Sequence, residues 1–544
     1  MKETSLWVRV PHTAPFPFKQ AIMKIYIYNV PAYSTGGVES LYQFCDMLNN
    51  LGYEAYIVYL TNVENPLPDR YAKYNLRFAS EIEDVFGNVI VVAEVWPEKL
   101  PTIKHAQKCF WWLSVDNNQK RFQQFDDESI IHLYQSTYAR LLLEANSVKH
   151  KLSVPDYVYA KPCKVLPKLD IVAYNPVKGF HTTQAIIASC PGVKFVPLAN
   201  MTESELMDTL TRSKIYIDFG NHPGKDRIPR EAALCNNIVI TGRAGSAGNQ
   251  EDIPILDCYK LDSPGAAANL IVECLRNYDS KINDFSSYRE EIHNQREELR
   301  KATLLFLSSV EVIILEQVVR NHSCDLGENW KKLHSFVKDY SHGTFVDLGV
   351  HRGSSSATLL YEAHKNKNHV FGVDIDHSLL LPIVRNNPNY TSLVGDSVTI
   401  GKYFSDKVTG LFVDTFHIKE QVLCELYYWY PKLIEGGFIG FHDTNWPAGK
   451  NDNYGSIVWE TPDKAILEFF NIPSLNYEDE YIKVENYPES WGMTLVKLKK
   501  KKDYISEYKN WSAIFQRRNL LISLFWTKQN KGEMLIDLML PNES

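Results

Sequence analysis

The sequence predicts an α/β protein built from three nucleotide-type lobes with doubly wound sheets, two in the first half and one in the second. Three observations predict it. From Lys24 onward, short apolar strands alternate with segments of helical periodicity, as in consecutive βαβ units. Between Phe345 and Thr444, five strand-like stretches run in succession into Asp347, Asp374, Asp396, Asp414 and Asp443. Between these halves lies a long helical stretch with charges first and an apolar stripe second. A chain of 544 residues also has room for more than one lobe of about 150 residues.

The elements follow in order. Residues 1–22 contain PHTAPFPF without a continuous apolar core, so they are expected to form a disordered leader, not a secretory signal. An N-lobe over 23–160 opens with KIYIYNV, turns at Gly36-Gly37, continues into the amphipathic VESLYQFCDMLNNLG and returns as EAYIVYL. Further strands are expected at 88–96, 108–114 and 130–136. Within the second of these, Phe110-Trp111-Trp112 suits either a sugar-stacking floor or a core. A C-lobe over 161–285 carries the strands LDIVA, VKFVPL, KIYIDFG and NIVITG. Residues 286–335 form a helical connector, because a floppy linker would be richer in glycine and serine. A third lobe spans 336–500, and 501–544 reads as a helical tail.

Composition narrows the function. A net charge of −7 argues against a nucleic-acid partner held by phosphate contacts. The 9 cysteines are scattered and never form C-x-x-C, the usage of a reducing cytoplasm with neither a disulfide framework nor a zinc knuckle. No run approaches the ~20 apolar residues of a transmembrane segment. A cytoplasmic location is the expectation.

The third lobe carries the strongest chemistry. The apolar strand ending in Asp347 runs into Gly349-Val-His-Arg-Gly353, whose glycines let the backbone turn tightly toward a ligand at the next helix. Asp374 stands 27 residues after Asp347, where a carboxylate meets a ribose. Ligands of open α/β sheets lie at the carboxyl ends of the strands, so all five acids should face one crevice. The pattern resembles class I S-adenosylmethionine-dependent methyltransferases, in particular sugar and small-molecule O-methyltransferases with D-x-x-H and a following H-D-T. The resemblance covers residues 325 to 500. It implies Asp347, Gly349 and Gly353 around the methionine part of S-adenosylmethionine, Asp374 on the ribose and Asp396 near the adenine.

Sugar hydroxyls are poor nucleophiles at neutral pH, so methyl transfer needs a base, a Lewis acid or both. Asp414, His442 and Asp443 offer ligands for magnesium or another divalent cation, and His417 is placed to take the proton. In the resembling family the D-x-x-H aspartate binds magnesium and its histidine is the base. Here His442 stands where an acidic ligand is expected. A purely structural role for His442 and Asp443, ordering the loop by hydrogen bonds, is the competing reading.

In the C-lobe, Asn175-Pro-Val-Lys178-Gly179 follows a strand and opens a helix, placing an ammonium and backbone amides where a diphosphate would be neutralised. Arg227 and Arg230 precede Glu231, a helix and a strand. This half resembles the retaining, nucleotide-sugar-dependent GT-B glycosyltransferases over residues 24 to 280. The resemblance implies a diphosphate at Lys178, flanked by Arg227 and Arg230, the donor ribose on Glu231, and a glycine loop at Gly37. Two departures stand out. Eight residues before Glu231, where the family has a second glutamate, the chain has Pro223, leaving His222 or Asp226 to replace it. Val172 stands where the family has an arginine. The two resemblances imply a bifunctional glycan-modifying enzyme, taking a nucleotide-sugar donor and a glycan or lipid-linked glycan acceptor. The alternative is a methyltransferase whose first half only binds a glycan or partner.

Overall fold

The computed structural model describes residues 23–63, 66–118, 122–159, 166–322, 326–361, 363–445, 460–508 and 510–528. The expected leader, 1–22, and the end of the expected tail, 529–544, lie outside them. The chain divides into two compact units, and the cut between Leu307 and Ser308 falls inside one helix of 37 residues, Ser286–His322.

The first unit holds two parallel sheets. β1 (Lys24–Asn29), β2 (Glu54–Tyr59), β3 (Arg77–Ala79), β4 (Val89–Ala93), β5 (Gln107–Trp112), β6 (Ile130–Tyr134) and β7 (Lys151–Ser153) lie in the order β3-β2-β1-β4-β5-β6-β7. All their pairings are parallel. The order reverses between β1 and β4, so a crevice opens at the carboxyl end of β1. There the Gly36–Asn50 helix begins, capped by the Thr35 hydroxyl, which accepts the Val38 N–H. The second sheet contains β8 (Leu169–Tyr174), β9 (Lys194–Pro197), β10 (Ser213–Asp218) and β11 (Ile238–Thr241), ordered β11-β10-β8-β9 and again parallel. Strands buried on both faces need nearly continuous apolar sequence, which Val89–Ala93 and Ile238–Thr241 supply. Trp111 and Trp112 are fully buried and belong to the core, not to a sugar-binding floor.

The second unit is built on one mixed sheet. β12 (Thr344–Leu348), β13 (His369–Asp374), β14 (Tyr390–Val394), β15 (Val408–Val413) and β16 (Leu433–His442) are parallel. β17 (Tyr477–Glu478), β18 (Ile482–Tyr487) and β19 (Met493–Leu498) complete it antiparallel. The full order is β14-β13-β12-β15-β16-β19-β18-β17, with β12 at the switch point. Leu348, Leu411, Leu423, Trp429 and Phe441 lie in the core cluster between this sheet and its helices. The expected tail contributes the helices Tyr504–Glu507 and Trp511–Lys528.

Among the described residues no helix is long and apolar enough to cross a membrane. The described cysteines are free, and all but Cys258 are buried.

Candidate functional site

The carboxyl end of β12 is the natural starting point. Gly349 has φ +85°, and a Cβ there would stand 1.9 Å from the Asp414 carbonyl oxygen, so no other residue fits. Its N–H donates to the Val373 carbonyl at 2.8 Å, threading the turn between the ends of β13 and β15. Gly353, with φ +95°, caps the Ser354–Leu360 helix and leaves room for Leu380 and Val384. A cavity of about 250 Å3 opens over this turn, lined among others by Gly349, His351, Asp374, Asp396, Asp414 and Phe416.

Asp374 lines the cavity; its Oδ2 accepts the His351 N–H at 2.9 Å and its Oδ1 the Asp376 N–H at 3.1 Å. Asp347 is not a lining residue. It is fully buried, and its Oδ2 accepts the hydroxyls of Ser355, at 2.8 Å, and Ser356. Burial pushes its carboxyl up to about 7, against the serine hydroxyls and with the nearby charges of Asp414 and Asp374. Asp347 therefore fastens the glycine turn to its helix from below. Asp396 lines the cavity, but both its oxygens are occupied. Oδ2 accepts the Thr399 N–H at 3.0 Å and the Thr399 hydroxyl at 2.8 Å, and Oδ1 accepts from Arg518.

At the ends of β15 and β16, the His417 Nε2 lies 3.2 Å from Asp414 Oδ1 and 3.0 Å from Asp443 Oδ2. Asp443 has φ +53°, a region sparse for non-glycine residues. His442, buried behind, places its Nδ1 3.3 Å from Asp414 and 3.4 Å from Asp443. Burial raises the Asp414 carboxyl, yet the His442 charge and the His417 hydrogen bond overcome it and hold it well below the usual carboxylate range. Burial opposes charge on His417 as well, but the Asp414 hydrogen bond and the charges of Asp414 and Asp443 raise its pKa above the ordinary value. At these strand ends the ligand atoms of Asp414, His417 and Asp443 converge within 4.8 Å of one another; among the described residues Asp218, His222 and Asp226 of the first unit do so as well. His417 thus stands in the trio where the sequence suggested His442. Two hard oxygens and an imidazole suit a divalent cation.

The first unit has a larger cavity, about 730 Å3, between its two lobes. Gly37 and Glu39 line it from the N-lobe; Lys178, Asp226, Arg227 and Glu231 line it from the C-lobe. Asn175 shapes the lysine turn, its Oδ1 accepting the N–H groups of Val177 at 3.0 Å and Lys178 at 3.3 Å. Gly179, with φ +62°, is required because a Cβ would meet the Phe219 carbonyl oxygen at 2.2 Å. Lys178 Nζ pairs with Asp226 Oδ2 at 2.8 Å. Arg227 reaches across the lobes to Glu39 Oε2 at 2.5 Å and lies 3.4 Å from Glu231 Oε1.

Arg230, grouped with the donor site by the sequence, is not among the lining residues. It is fully buried and pairs with Asp156 of the N-lobe at 2.8 Å, while also donating to Gln295 and the Lys225 carbonyl. Facing into the chain from the Arg227–Leu234 helix, it holds the lobes together. Of the two replacements for the missing glutamate, Asp226 lines the cavity and His222 does not. His222 is buried, with Nδ1 3.2 Å from Asp226 and Nε2 3.6 Å from Asp218.

Two features escaped the sequence. Glu94, at the end of β4, lines the cleft, and burial pushes its carboxyl up to about 7 although the Leu113 N–H donates to it at 3.0 Å. Only its place after an apolar strand signalled it. Ile522, from the Trp511–Lys528 helix, lines the cavity at β12, and nothing local in the sequence marked it.

The family model described as a methyltransferase domain matches residues 346–444, the stretch from β12 to the end of β16. Among curated proteins no sequence matches the chain. Similar solved structures include sucrose-phosphate synthase from Thermosynechococcus elongatus, at 12% identity and TM-score 0.39, covering 53% of this chain and 99% of that one. TarM aligns at 10% identity and TM-score 0.42, covering 52% and 98%. The Podospora anserina methyltransferase PaMTH1, bound to SAH, aligns at 12% identity and TM-score 0.22, covering 29% and 72%.

Proposed function

We propose that the chain is a bifunctional glycan-modifying enzyme: its second unit O-methylates a sugar hydroxyl with S-adenosylmethionine, and its first transfers a sugar from a nucleotide-sugar donor to a glycan or lipid-linked glycan. The observation that carries the reading is His417 held between Asp414 and Asp443 beside the Gly349 cavity, within a matched methyltransferase domain. The residues fit the cofactor, because the tight turn at Gly349, where a Cβ would strike the Asp414 carbonyl, brings the backbone up to the cavity, and Asp374 lines that cavity with a carboxylate able to accept from ribose hydroxyls. When bound, the cofactor supplies an electrophilic methyl group.

The chain's own residues would then do three things. Asp374 binds the ribose hydroxyls. His417, half-buried beside the cavity-lining Asp414, removes the proton from the acceptor hydroxyl as the oxygen attacks. Asp414 and Asp443 stabilise the imidazolium that results. If a divalent cation is bound, Asp414, His417 and Asp443 would hold it, and it would lower the pKa of the acceptor hydroxyl. Exhaustive chelation separates these cases: full methyl transfer after EDTA treatment assigns His417 the base role, and activity restored only by added magnesium or another divalent cation assigns it a ligand role.

In the first unit, Lys178 and the amides of its turn would take the donor diphosphate, Glu231 the ribose, and the Gly36-Gly37 turn the acceptor side. Asp226, at the cavity but paired with Lys178, would be released when a diphosphate engages that lysine. A second reading rests on Pro223, eight residues before Glu231, where no carboxylate can act: the first unit would then bind a glycan without transferring a sugar. Calorimetric titration of the full chain with UDP-, GDP-, dTDP- and ADP-sugars, with Lys178→Ala and Glu231→Ala as controls, decides. Donor binding lost in both variants supports transfer; no binding of any donor favours the second reading.

A further inference from the structure

The Trp511–Lys528 helix lies beyond the matched methyltransferase stretch, 346–444, yet it completes the cofactor cavity. Trp511 and Phe515 pack on Tyr427, their ring centroids 4.7 and 5.4 Å from it. Arg517 pairs with the buried Glu420 at 2.6 Å. Arg518 is fully buried. Its guanidinium bonds Asp396 and, through Nε, Gln421 Oε1 at 2.6 Å. Gln421 in turn donates to Ser397 Oγ at 3.0 Å and Glu425 Oε1 at 2.7 Å. One turn further along, Ile522 is 2% exposed and lines the cavity with Asp396, Ser397 and Gln421.

A buried arginine is costly unless it is paired and its remaining donors are satisfied, so this helix has one well-defined seat. Because both oxygens of Asp396 are taken by Thr399 and Arg518, that acid is a fixed part of the wall. We propose that the Trp511–Lys528 helix is a structural wall of the cofactor site, with Ile522 touching the bound cofactor and Arg518 positioning the Asp396–Ser397 end. The inference rests on the S-adenosylmethionine reading above. It assigns cofactor binding to a segment outside the domain that the family match recognises.

The test uses the full chain and S-adenosylhomocysteine. Ile522→Trp should weaken its binding, measured by calorimetry, at least about tenfold, since a larger side chain fills space the ligand needs. The melting temperature without ligand should stay near that of the unmodified protein. Arg518→Lys, which keeps the charge but loses the bond to Gln421, should raise the cofactor KM about fivefold with kcat unchanged. A fall in melting temperature with KM unchanged would overturn the positioning role. Should Ile522→Trp not fold, hydrogen exchange on the unmodified chain decides: the ligand should slow exchange across residues 511–528. Binding by the unmodified chain with no such protection, or with Ile522→Trp within twofold, overturns this inference alone. No binding at all overturns both it and the cofactor reading.

Discussion

In the proposed reaction His417 carries the acceptor chemistry in one ring, and its two carboxylate neighbours fix the sign of its pH behaviour. Asp414 and Asp443 raise its pKa above the ordinary value of about 6.5. As a base it must be neutral, so methyl transfer should rise with pH through that raised pKa and flatten above it. Stability should run the other way, because the pairing favours the charged ring: the contribution is full below the unfolded pKa and is lost as pH rises through the folded one. His417→Ala should lower kcat by about 10² to 10⁴, remove the rising limb of the rate profile and leave cofactor affinity unchanged in calorimetry. Asp347 offers an independent check. Its carboxyl is held near pH 7 by burial, above the unfolded value, so its contribution is present in acid and lost as pH rises through about 7. Asp347→Asn, which stays neutral, should flatten the decline of melting temperature between about pH 4 and 7, the interval between the unfolded and folded pKa of the carboxyl; an unchanged decline would mean that the carboxyl does not titrate there.

At the scale of elements, the position of a residue on its helix decides whether its charge meets ligand or core. Arg227 and Arg230 sit in one helix of 8 residues, and the sequence treated them alike. Their directions differ: Arg227 lines the cleft while Arg230 points inward to Asp156. Burial raises the Asp156 carboxyl, but the Arg230 charge outweighs it and keeps it below the usual range. Asp156→Ala should therefore destabilise the first unit by about 3–5 kcal/mol, the cost of leaving a buried guanidinium unpaired, read as a shift in urea midpoint. A loss below 1 kcal/mol would mean that water reaches Arg230 there. The strand-to-helix turns were legible because they depend on local signals: glycines at 349, 353 and 179, and an acid at each strand end. What was not legible depends on distant partners. The 3-residue strands Arg77–Ala79 and Lys151–Ser153 are too short to show periodicity. The grouping of His417 with Asp443 accompanies a left-handed backbone at Asp443, and the closure of the cavity by Ile522 comes from a residue more than 70 positions beyond the last motif.

At the scale of the whole chain, the division between the two compact units falls within the Ser286–His322 helix, and each unit has its own cavity, its own switch point and its own set of charged residues. If the two reactions are separate, their losses must be separable. Asp374→Ala removes the carboxylate at the proposed ribose position without touching any residue of the first unit, so methyl transfer should fall at least about a hundredfold while nucleotide-sugar binding stays within twofold. Lys178→Ala should do the reverse, because its ammonium lies in the cleft of the first unit, where its described ion-pair partner is Asp226. Both variants remove partly exposed side chains, so neither should lower the melting temperature much, and that measurement guards against misreading an unfolded unit as a lost activity. A methyl-transfer defect in Lys178→Ala with normal stability would mean that the methyltransferase consumes what the first unit makes or holds. Supplying the preformed acceptor in excess distinguishes the two: recovery of methyl transfer shows dependence on the product, and persistent loss shows that a single site serves both reactions.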